Sequence, residues 1–588
     1  MPDLFPAAFS PALILIIAGA LCGALPRAWR NGVGLVAVGL TMAHVLSYGT
    51  APVGEALLYG QSEAMGFTLT AVRIDGLSRI FAIIFTVATL LNVVYGWRHA
   101  TLIEAAMGLV YAGAAVGGAL AGDLLTLFVY WELAALSSVF IVWAGGGHAA
   151  FKAGMRYLVV QVLSGLLLLA GIAVIAGRGD GLAFEAFSLT RSGGGADPAA
   201  WLILVSFGIK AAFPLLHTWL QDSYPKASAV GAVMLSAFTT KLAIYALARG
   251  FAGTDILIPV GCVMVAFPVF FALIENDLRK VLAYSLNNQL GFMVCAIGIG
   301  TPLALNGASA HAFVHIIYKA LLFMGMGAVM VRVGTAKATE LGGLHKSMPL
   351  TCAFTLIGAL SISAFPLFSG FVAKSMITDA ASAAHLLIPY VVLLFASAGV
   401  LEHSGIKIPY FAFFAHDNFA PSLTGRDRPR EAPLSMLAAM GLAAFACIYV
   451  GVRPGLLYGL MPFEVSYEAY TAKHVVTQMQ LLLFAILAFA LLVRFRLYPA
   501  EVRAQNLDVD WLWRVPGRLA LMAATSATAR AWRRVWRGAL VGCGGAMRRL
   551  YATHGPEGGI ARTWPVGYTA LTTAVVLAVT LLLVFAAG

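Results

Sequence analysis

The chain has 588 residues, of which 60% are hydrophobic and only 11% are charged, and its mean hydropathy is +0.87. So few polar side chains cannot cover an ordinary soluble domain, and the composition therefore predicts an all-α polytopic membrane protein. The formal net charge of +12 does not point to nucleic acid as a partner, because the arginines cluster beside apolar runs, where they fit membrane topology.

The six cysteines are scattered singly, most of them inside apolar runs. Without a CxxC motif or a Cys/His pair, they predict neither a zinc site, nor an iron–sulfur cluster, nor a disulfide framework. No sequence motif resembles a nucleotide, flavin or haem site. We therefore predict no cofactor and no bound metal, and we expect no redox centre in this chain.

Apolar runs of roughly 17 to 25 residues mark the expected membrane-spanning helices. We predict about sixteen of them, near 9–24, 31–48, 74–96, 103–120, 124–143, 155–176, 200–220, 228–250, 255–274, 281–299, 303–331, 350–378, 384–415, 434–452, 475–496 and 566–587. The segment 49–73 alternates polar and apolar residues, which predicts a short hairpin between the second and third spans.

Lysines and arginines in the loops orient these helices. Alternate loops are rich in cations, such as those holding Arg27 and Arg30 or Arg279 and Lys280, whereas the intervening loops hold few. The bias predicts that both termini face outside and that the polar stretch 497–564 lies on the cytoplasmic side. We expect the membrane to be a bacterial cytoplasmic (inner) membrane.

Three charged residues lie near the middle of predicted spans in the first half. Glu132 lies near the centre of the fifth span, Lys210 precedes Pro214 in the seventh, and Lys241 lies in the eighth. A charge at the centre of a membrane costs about 2.5 kcal/mol or more, and a proline frees backbone groups that lipid cannot satisfy. We interpret the three as functional, with a structural ion pair between helices as the alternative.

The eleventh span carries His311, His315 and Lys319 at a spacing of four. This spacing stacks the side chains on one face of a helix, as a proton relay or the wall of a hydrated channel requires. The alternatives are a metal site and a pair of hydrogen-bonded core histidines. For a metal, no third ligand is indicated and the lysine would repel the ion.

A repeated tetrapeptide links the seventh and twelfth spans. Ala-Phe-Pro-Leu occurs at 212–215 and again at 364–367, and Lys374 follows the second copy. Two proline-broken helices with a lysine, in corresponding places of two halves, indicate an inverted-repeat transporter. Glu402, His403 and Lys407 in the thirteenth span extend the line of ionisable groups.

Residues 70–415 resemble the antiporter-like subunits shared by Mrp-type cation/proton antiporters and respiratory complex I. The resemblance rests on the Trp-Glu pair of the fifth span, GIKAAFPLLHTWL, TTKLAIYAL, DLRKVLAYSLNNQLGFMV, H-x-x-x-H-x-x-x-KALLF and SGFVAKSMI. Within the family, SLNNQLGFMV and LDVDWLWR are most similar to the D subunit of Mrp antiporters. The chain departs from the family at LQDSYPKASAVG, where the family has a proline-rich turn.

The resemblance implies two inverted five-helix repeats and a hydrated axis of charged groups along the middle of the membrane. It implies that Glu132 is the family's essential glutamate, Lys210 its partner lysine and Lys241 the central lysine. It also implies that His311, His315 and Lys319 form the relay on the eleventh helix and that Lys374 is the lysine of the twelfth helix. The predicted division is N-terminal helices (1–100), a first repeat (101–250), a second repeat (251–415), C-terminal helices (416–496), a basic amphipathic cytoplasmic segment (497–564) and a terminal transmembrane helix (565–588).

Residues 519–551 interleave arginines with tryptophan and leucine, which is typical of a helix on the membrane surface. Docking onto a neighbouring subunit, in the manner of the lateral helix of the complex I L subunit, is the alternative interpretation.

We expect a membrane subunit of a monovalent cation/proton antiporter, assembled with other integral membrane subunits in the lipid bilayer and acting on cations and protons. One alternative is a proton-pumping subunit of a complex I-like NADH-quinone oxidoreductase. A second, of another class, is a structural scaffold in which the buried charges only hold helices together.

Overall fold

The computed structural model describes residues 6–64, 66–191, 193–419, 428–498, 501–502 and 506–587. Contacts divide the chain into a large unit, Met1–Asn506, and a small unit, Leu507–Gly588. Helices make up nearly all of the regular structure that is described. The predicted all-α polytopic class is therefore confirmed.

The large unit opens with two helices and a hairpin. These are α1 (Pro11–Ala24), α2 (Arg27–Ser47), β1 (Leu57–Ala64) and β2 (Phe67–Ile74). The strands pair antiparallel, from Leu57 opposite Ile74 to Ala64 opposite Phe67. The hairpin predicted from the alternation at 49–73 is therefore confirmed.

Helices follow to the end of the large unit. They are α3 (Gly76–Tyr95), α4 (Leu102–Leu120), α5 (Leu124–Trp143), α6 (Gly147–Gly177), α7 (Pro198–Lys210), α8 (Thr218–Ser223), α9 (Ala229–Ala237), α10 (Thr239–Gly250), α11 (Leu257–Ile274), α12 (Leu278–Ile299), α13 (Pro302–Val333), α14 (Pro349–Ile362), α15 (Ser369–Ala383), α16 (Leu387–Val400), α17 (Leu434–Val452), α18 (Pro454–Tyr458) and α19 (Ala472–Arg494). Several begin at a capping side chain, such as Asp75, whose carboxylate accepts from the Ser78 N–H.

Within the described residues, twelve helices are long and apolar enough to cross a membrane, with α9 and α10 counted as one. The other predicted spans are helical too. Helix α1 has 14 residues, α2 is not among the twelve, and the seventh and twelfth spans are each broken into two helices. Helices therefore occupy all of the predicted positions.

The most buried helices are those that carry charged residues. In the α9–α10 pair, α12 and α13, between 89% and 100% of the apolar stretch is buried, against 39% in α11 and 11% in α19. The outer helices expose large apolar side chains such as Phe270 and Phe484, as lipid-facing helices do. Charged residues on the central helices are thereby kept away from lipid.

The two Ala-Phe-Pro-Leu sequences adopt the same backbone conformation. Ala212 and Leu215 have φ angles of +62° and +70°, and Ala364 and Leu367 have φ angles of +57° and +74°. In both copies the alanine N–H donates to the carbonyl three residues earlier and the phenylalanine N–H to the carbonyl five residues earlier. Positive φ angles are uncommon in residues other than glycine. The repeated Ala-Phe-Pro-Leu sequence therefore corresponds to a repeated backbone conformation.

Two further interruptions were not predicted. Phe238, between α9 and α10, has φ −106° and ψ −65°, and the helix breaks there without proline or glycine. The helix that continues from α16 contains π-helical turns at Leu401–Ile406 and Tyr410–Phe414. Such irregular turns free main-chain carbonyls and are frequent at functional sites. Each interruption lies beside a lysine, Lys241 or Lys407.

The small unit contains two long helices, α20 (Arg518–His554) and α21 (Val566–Ala587). Helix α20 has 37 residues and includes the whole of the segment 519–551. The predicted helix is confirmed, while its place on the membrane surface stays a prediction.

Candidate functional site

Lys210 is held by the residue that precedes Glu132. Its Nζ donates to the main-chain carbonyl of Trp131 at 2.6 Å and lies 4.3 Å from the centre of the Trp131 ring. The lysine is fully buried at the last residue of α7, immediately before the break. An ammonium removed from water needs such partners, because an unpaired charge at this depth is costly.

Hydroxyl groups position Trp131 in turn. Its indole N–H donates to Ser164 Oγ at 3.0 Å. Ser164 Oγ donates to the Ser206 carbonyl at 2.8 Å, and Ser206 Oγ donates to the Ser164 carbonyl at 2.7 Å. Helices α5, α6 and α7 are therefore tied together around Lys210. Neither serine stood out in the sequence, since serine in a helix usually bonds to its own backbone.

Glu132 is not ion-paired with Lys210. Its Oε1 is buried and has no hydrogen-bond partner among the described residues, although the two charges interact electrostatically. The carboxylate lies against Gly165 of α6, where an added Cβ would overlap Oε1. The Glu132 carboxylate therefore has an unsatisfied oxygen near the Lys210 ammonium, which is itself hydrogen-bonded to the Trp131 carbonyl.

Lys241 lies in the first turn of α10, directly after the break at Phe238. Its Nζ donates to the Ser236 carbonyl at 2.5 Å, and the side chain is fully buried. In an uninterrupted helix this carbonyl would accept from the backbone N–H four residues later. The break therefore supplies the lysine with an acceptor.

Hydroxyl groups from four helices meet beside Lys241. Thr239 Oγ1, two residues before the lysine, lies 2.5 Å from Tyr111 OH and 3.4 Å from Tyr157 OH. Tyr157 OH is also 2.9 Å from Ser138 Oγ. The sequence could not indicate this cluster because its members come from four separate segments. Hydrogen bonds in series polarise one another, which suits a path for protons.

His311, His315 and Lys319 lie on one face of α13, as predicted, and all three are fully buried. The two imidazole rings are 5.9 Å apart and nearly parallel, at 15°. Among the described residues, neither Lys319 Nζ nor either ring nitrogen of His315 has a hydrogen-bond partner, and no third His, Cys, Asp or Glu completes a metal site. Buried polar groups without protein partners ordinarily form hydrogen bonds with water, which a hydrated path would provide.

Lys374 lies beside the second break, but it follows the Ala-Phe-Pro-Leu sequence, whereas Lys210 precedes the first copy. Its Nζ donates at 2.6 Å to the carbonyl of Ile362, the last residue of α14. The ammonium lies 5.1 Å from the centre of the Phe292 ring, and His311 packs against the same ring at 5.9 Å. Phe292 thus joins the lysine of α15 to the histidines of α13.

Lys407 is fully buried and pairs with a carboxylate that the sequence did not indicate. Its Nζ donates to the carbonyls of Leu273 and Glu275 at 2.6 and 2.8 Å, and it lies 2.8 Å from a carboxylate oxygen of Glu501. Glu501 follows α19, in the segment that we expected to be a polar cytoplasmic stretch. No local pattern distinguishes it from an exposed glutamate.

Glu402 lies apart from the other predicted site residues. It is half-buried, and its side chain forms no hydrogen bond or ion pair within the described part of the chain. The next residue, His403, is fully buried, with Nδ1 2.8 Å from Ser404 Oγ. His403 interacts electrostatically with Lys374 and Lys407. His403, which the sequence also placed in this line, therefore interacts with predicted site residues, and the role of Glu402 stays a prediction.

A family model described as NADH:quinone oxidoreductase/Mrp antiporter, TM, matches residues 121–400. This range contains every predicted site residue except Glu402 and Lys407. Residues 121–400 belong to this family. The resemblance inferred from the motifs is therefore confirmed for these residues, and the chain is a multi-pass membrane protein.

The chain is similar to its relatives over part of their length. The D subunit of the Na(+)/H(+) antiporter of Alkalihalophilus pseudofirmus is 33% identical over 320 residues, which are 51% of this chain and 64% of that protein. The chain covers less than two thirds of the length of this and other relatives, 41% in one case.

Two solved structures share the fold. A chain of the Mrp complex from Dietzia sp. has a TM-score of 0.69 at 23% identity, and the match covers 81% of this chain and 99% of that one. A chain of the archaeal membrane-bound sulfane sulfur reductase has a TM-score of 0.69 at 22% identity, and that match covers 98% of this chain and 100% of the other. The fold therefore occurs in multi-subunit membrane complexes.

Proposed function

We propose that this chain conducts protons as one membrane subunit of a multi-subunit antiporter that exchanges a monovalent cation, such as sodium, for protons. The observation that carries the proposal is the series of fully buried ionisable groups on the central helices. Lys241 and Lys374 have main-chain carbonyls as partners, and His315 and Lys319 have no protein partners among the described residues. Groups of this kind inside a membrane mark ion pathways.

In the proposed cycle, Glu132 moves between Gly165 and Lys210. A lysine in an apolar site gives up its proton readily, and a carboxylate nearby favours the ammonium form. When the carboxylate approaches Lys210, the lysine holds its proton. When the carboxylate returns to Gly165, the lysine releases the proton towards the centre of the bundle.

The central helices provide the rest of the path. Lys241 interacts electrostatically with His311, His315 and Lys319, and Lys319 interacts with Lys374. Water between these groups carries the proton, because the side chains do not contact one another directly along the whole line. The direction of transfer follows the ion gradient or partner subunit that drives it.

The repeated break supports the division into two repeats, 101–250 and 251–415, in opposite orientations. In each, the freed carbonyls accept from nearby side chains: Trp219 Nε1 donates to Ile209, and Lys374 Nζ donates to Ile362. Unwound backbone at membrane depth is tolerated where it is buried in protein or lines a hydrated cavity. Loop cations support a bacterial cytoplasmic membrane location with both termini outside.

The small unit favours a second candidate, a proton-pumping subunit of a redox-driven complex such as a complex I-like NADH-quinone oxidoreductase. The match to the sulfane sulfur reductase chain leaves only 2% of this chain uncovered, so it has to include most of Leu507–Gly588. The match to the Mrp chain leaves 19% uncovered. The extended C-terminal fold is thus shared with a chain of a respiratory complex.

A pH assay in inverted membrane vesicles separates the two candidates. Vesicles containing the complete complex receive sodium, potassium or a quinone reductant in turn, while a dye reports the internal pH. The antiporter predicts a pH change on adding sodium or potassium and none on adding the reductant, and the redox-driven pump predicts the reverse. Vesicles without this chain are the control, and no pH change with any addition would contradict both candidates and favour the scaffold.

A further inference from the structure

A cavity of about 400 Å³ lies at the end of the bundle where α3 begins and α10 ends. The cavity is lined by Leu305 and the largely apolar loop Gly459–Phe463, and also by Arg73, Arg79 and Arg249. None of the residues of the proposed proton path lines it. The cavity is therefore a separate feature, and its role does not depend on the proposed function.

Two of the arginines share one carboxylate. Asp75 lies 2.8 Å from Arg249 and 3.2 Å from Arg73. Burial by itself raises the pKa of Asp75, but the Arg249 and Arg73 guanidinium groups and the bond from the Ser78 N–H lower it to about 2. Asp75 is therefore ionised at neutral pH and fully engaged, which leaves the cavity with an excess of positive charge.

Arg79, one turn into α3, supplies that excess. Its Nε is buried without a hydrogen-bond partner, and its guanidinium forms no ion pair with any residue that the structure describes. The other carboxylate at the cavity, Glu55, is exposed at the rim and does not pair with it. Buried donors without acceptors are rare in folded proteins, because each one loses its hydrogen bonds to water.

The three arginines at the cavity also do not follow the distribution of positive charge among the loops. This end of the bundle is the predicted outer side, whose loops hold few cations. Three arginines in one cavity on that side, only two of them paired, call for an anion. A guanidinium presents a planar fork of donors that fits two oxygens of a phosphate group.

We propose that this cavity binds a phosphate group, with the Arg79 guanidinium as its principal donor. The largely apolar loop Gly459–Phe463 suits the acyl chains of an anionic phospholipid, whose headgroup would meet Arg79. Gly76 lies close to the loop, since a Cβ at this position would be 2.7 Å from Pro462 Cα. Because Gly76 has no side chain, the loop packs against the start of α3 and closes the cavity on that side.

The test compares the full-length wild type with Arg79→Gln and with Arg453→Gln. Arg453 is exposed, lies a few residues before the cavity loop and does not line the cavity, so its replacement removes the same charge without touching the site. Native mass spectrometry of each protein in neutral detergent measures the retention of phosphatidylglycerol, phosphatidylcholine and inorganic phosphate. We expect wild type and Arg453→Gln to retain phosphatidylglycerol, and Arg79→Gln to bind it about tenfold or more weakly.

The other binding results show whether the phosphate belongs to a lipid or is a free anion, and whether the proposal is correct. Binding of inorganic phosphate without preference for phosphatidylglycerol supports the site with a free anion as its ligand. Retention of neither phosphatidylglycerol nor inorganic phosphate by the wild type overturns the proposal, as does unchanged retention in Arg79→Gln or equal loss in Arg453→Gln. Arg79→Lys, which keeps the charge, serves as the second variant and should bind better than Arg79→Gln.

Discussion

Lys241→Ala should abolish proton-coupled transport while the chain remains in the membrane at normal abundance. The lysine is fully buried at the centre of the bundle, where the Ser236 carbonyl is the only acceptor that its ammonium has among the described residues. Alanine removes the buried lysine of α10, and we expect the transport rate to fall on the order of 100-fold, as for the loss of a positioned proton-transfer group. The rate of pH change in vesicles, divided by the amount of assembled complex, measures the effect.

Loss of the lysine should not unfold the protein. Alanine leaves a small cavity, but it also removes the cost of burying an ammonium, and the two effects offset each other. Lys226→Ala is the matched control, because Lys226 is exposed before α9 and should transport normally. Wild-type transport by Lys241→Ala would contradict its role, and loss of the chain from the membrane would favour the scaffold.

Gly165→Ala should reduce transport almost as strongly, although this residue carries no ionisable group. A Cβ at position 165 would overlap Oε1 of Glu132, so the carboxylate has to leave its place against α6. A reacting group displaced by about 1 Å can lose on the order of 100-fold in rate. The same vesicle assay measures the loss.

Gly177→Ala is the matched control for this prediction. Gly177 belongs to the same helix, and an added Cβ there meets no atom within 4 Å, so transport should be unchanged. In a Glu132→Ala background, Gly165→Ala should add no further loss, because the two changes act on the same carboxylate. Unimpaired transport by Gly165→Ala would show that the position of Glu132 does not matter.

Main-chain carbonyls are the common partners of the buried lysines. Lys241, Lys374 and Lys407 each donate to a carbonyl in the last two residues of a helix, in Ser236, Ile362 and Leu273 respectively. A carbonyl at a helix end has no backbone donor, so it can accept from an ammonium without breaking the helix. For Lys241 and Lys374, a neutral partner of this kind holds the lysine in place without fixing its protonation state, as a carboxylate would, whereas Lys407 also pairs with the Glu501 carboxylate.

The helices and the positions of most site residues could be predicted from the sequence. Long apolar runs have few alternatives to helix at membrane depth, and the spacing of His311, His315 and Lys319 is by itself enough to place them on one face. The repeated Ala-Phe-Pro-Leu marked both breaks, because proline leaves a local signature. These features depend on residues that are neighbours in the chain.

The partners of the site residues could not be predicted. The Lys210–Trp131 bond, the hydroxyl groups around Thr239 and the Lys407–Glu501 pair join segments that are far apart in sequence. The break at Phe238 has no glycine or proline to announce it and results from tertiary packing. Glu132 was expected to face Lys210, and its place against Gly165 follows from the absence of a side chain on a different helix.

The most direct test of a continuous path is the pH change driven by sodium, potassium or reductant in vesicles whose complex carries Lys319→Ala. Lys319 of the second repeat interacts electrostatically with Lys241 of the first repeat and with Lys374 of the second. If protons cross from one half to the other along α13, the pH change should fall to that of vesicles without this chain, at normal abundance of the variant. A wild-type rate of pH change in that variant would contradict a path through the centre of the bundle.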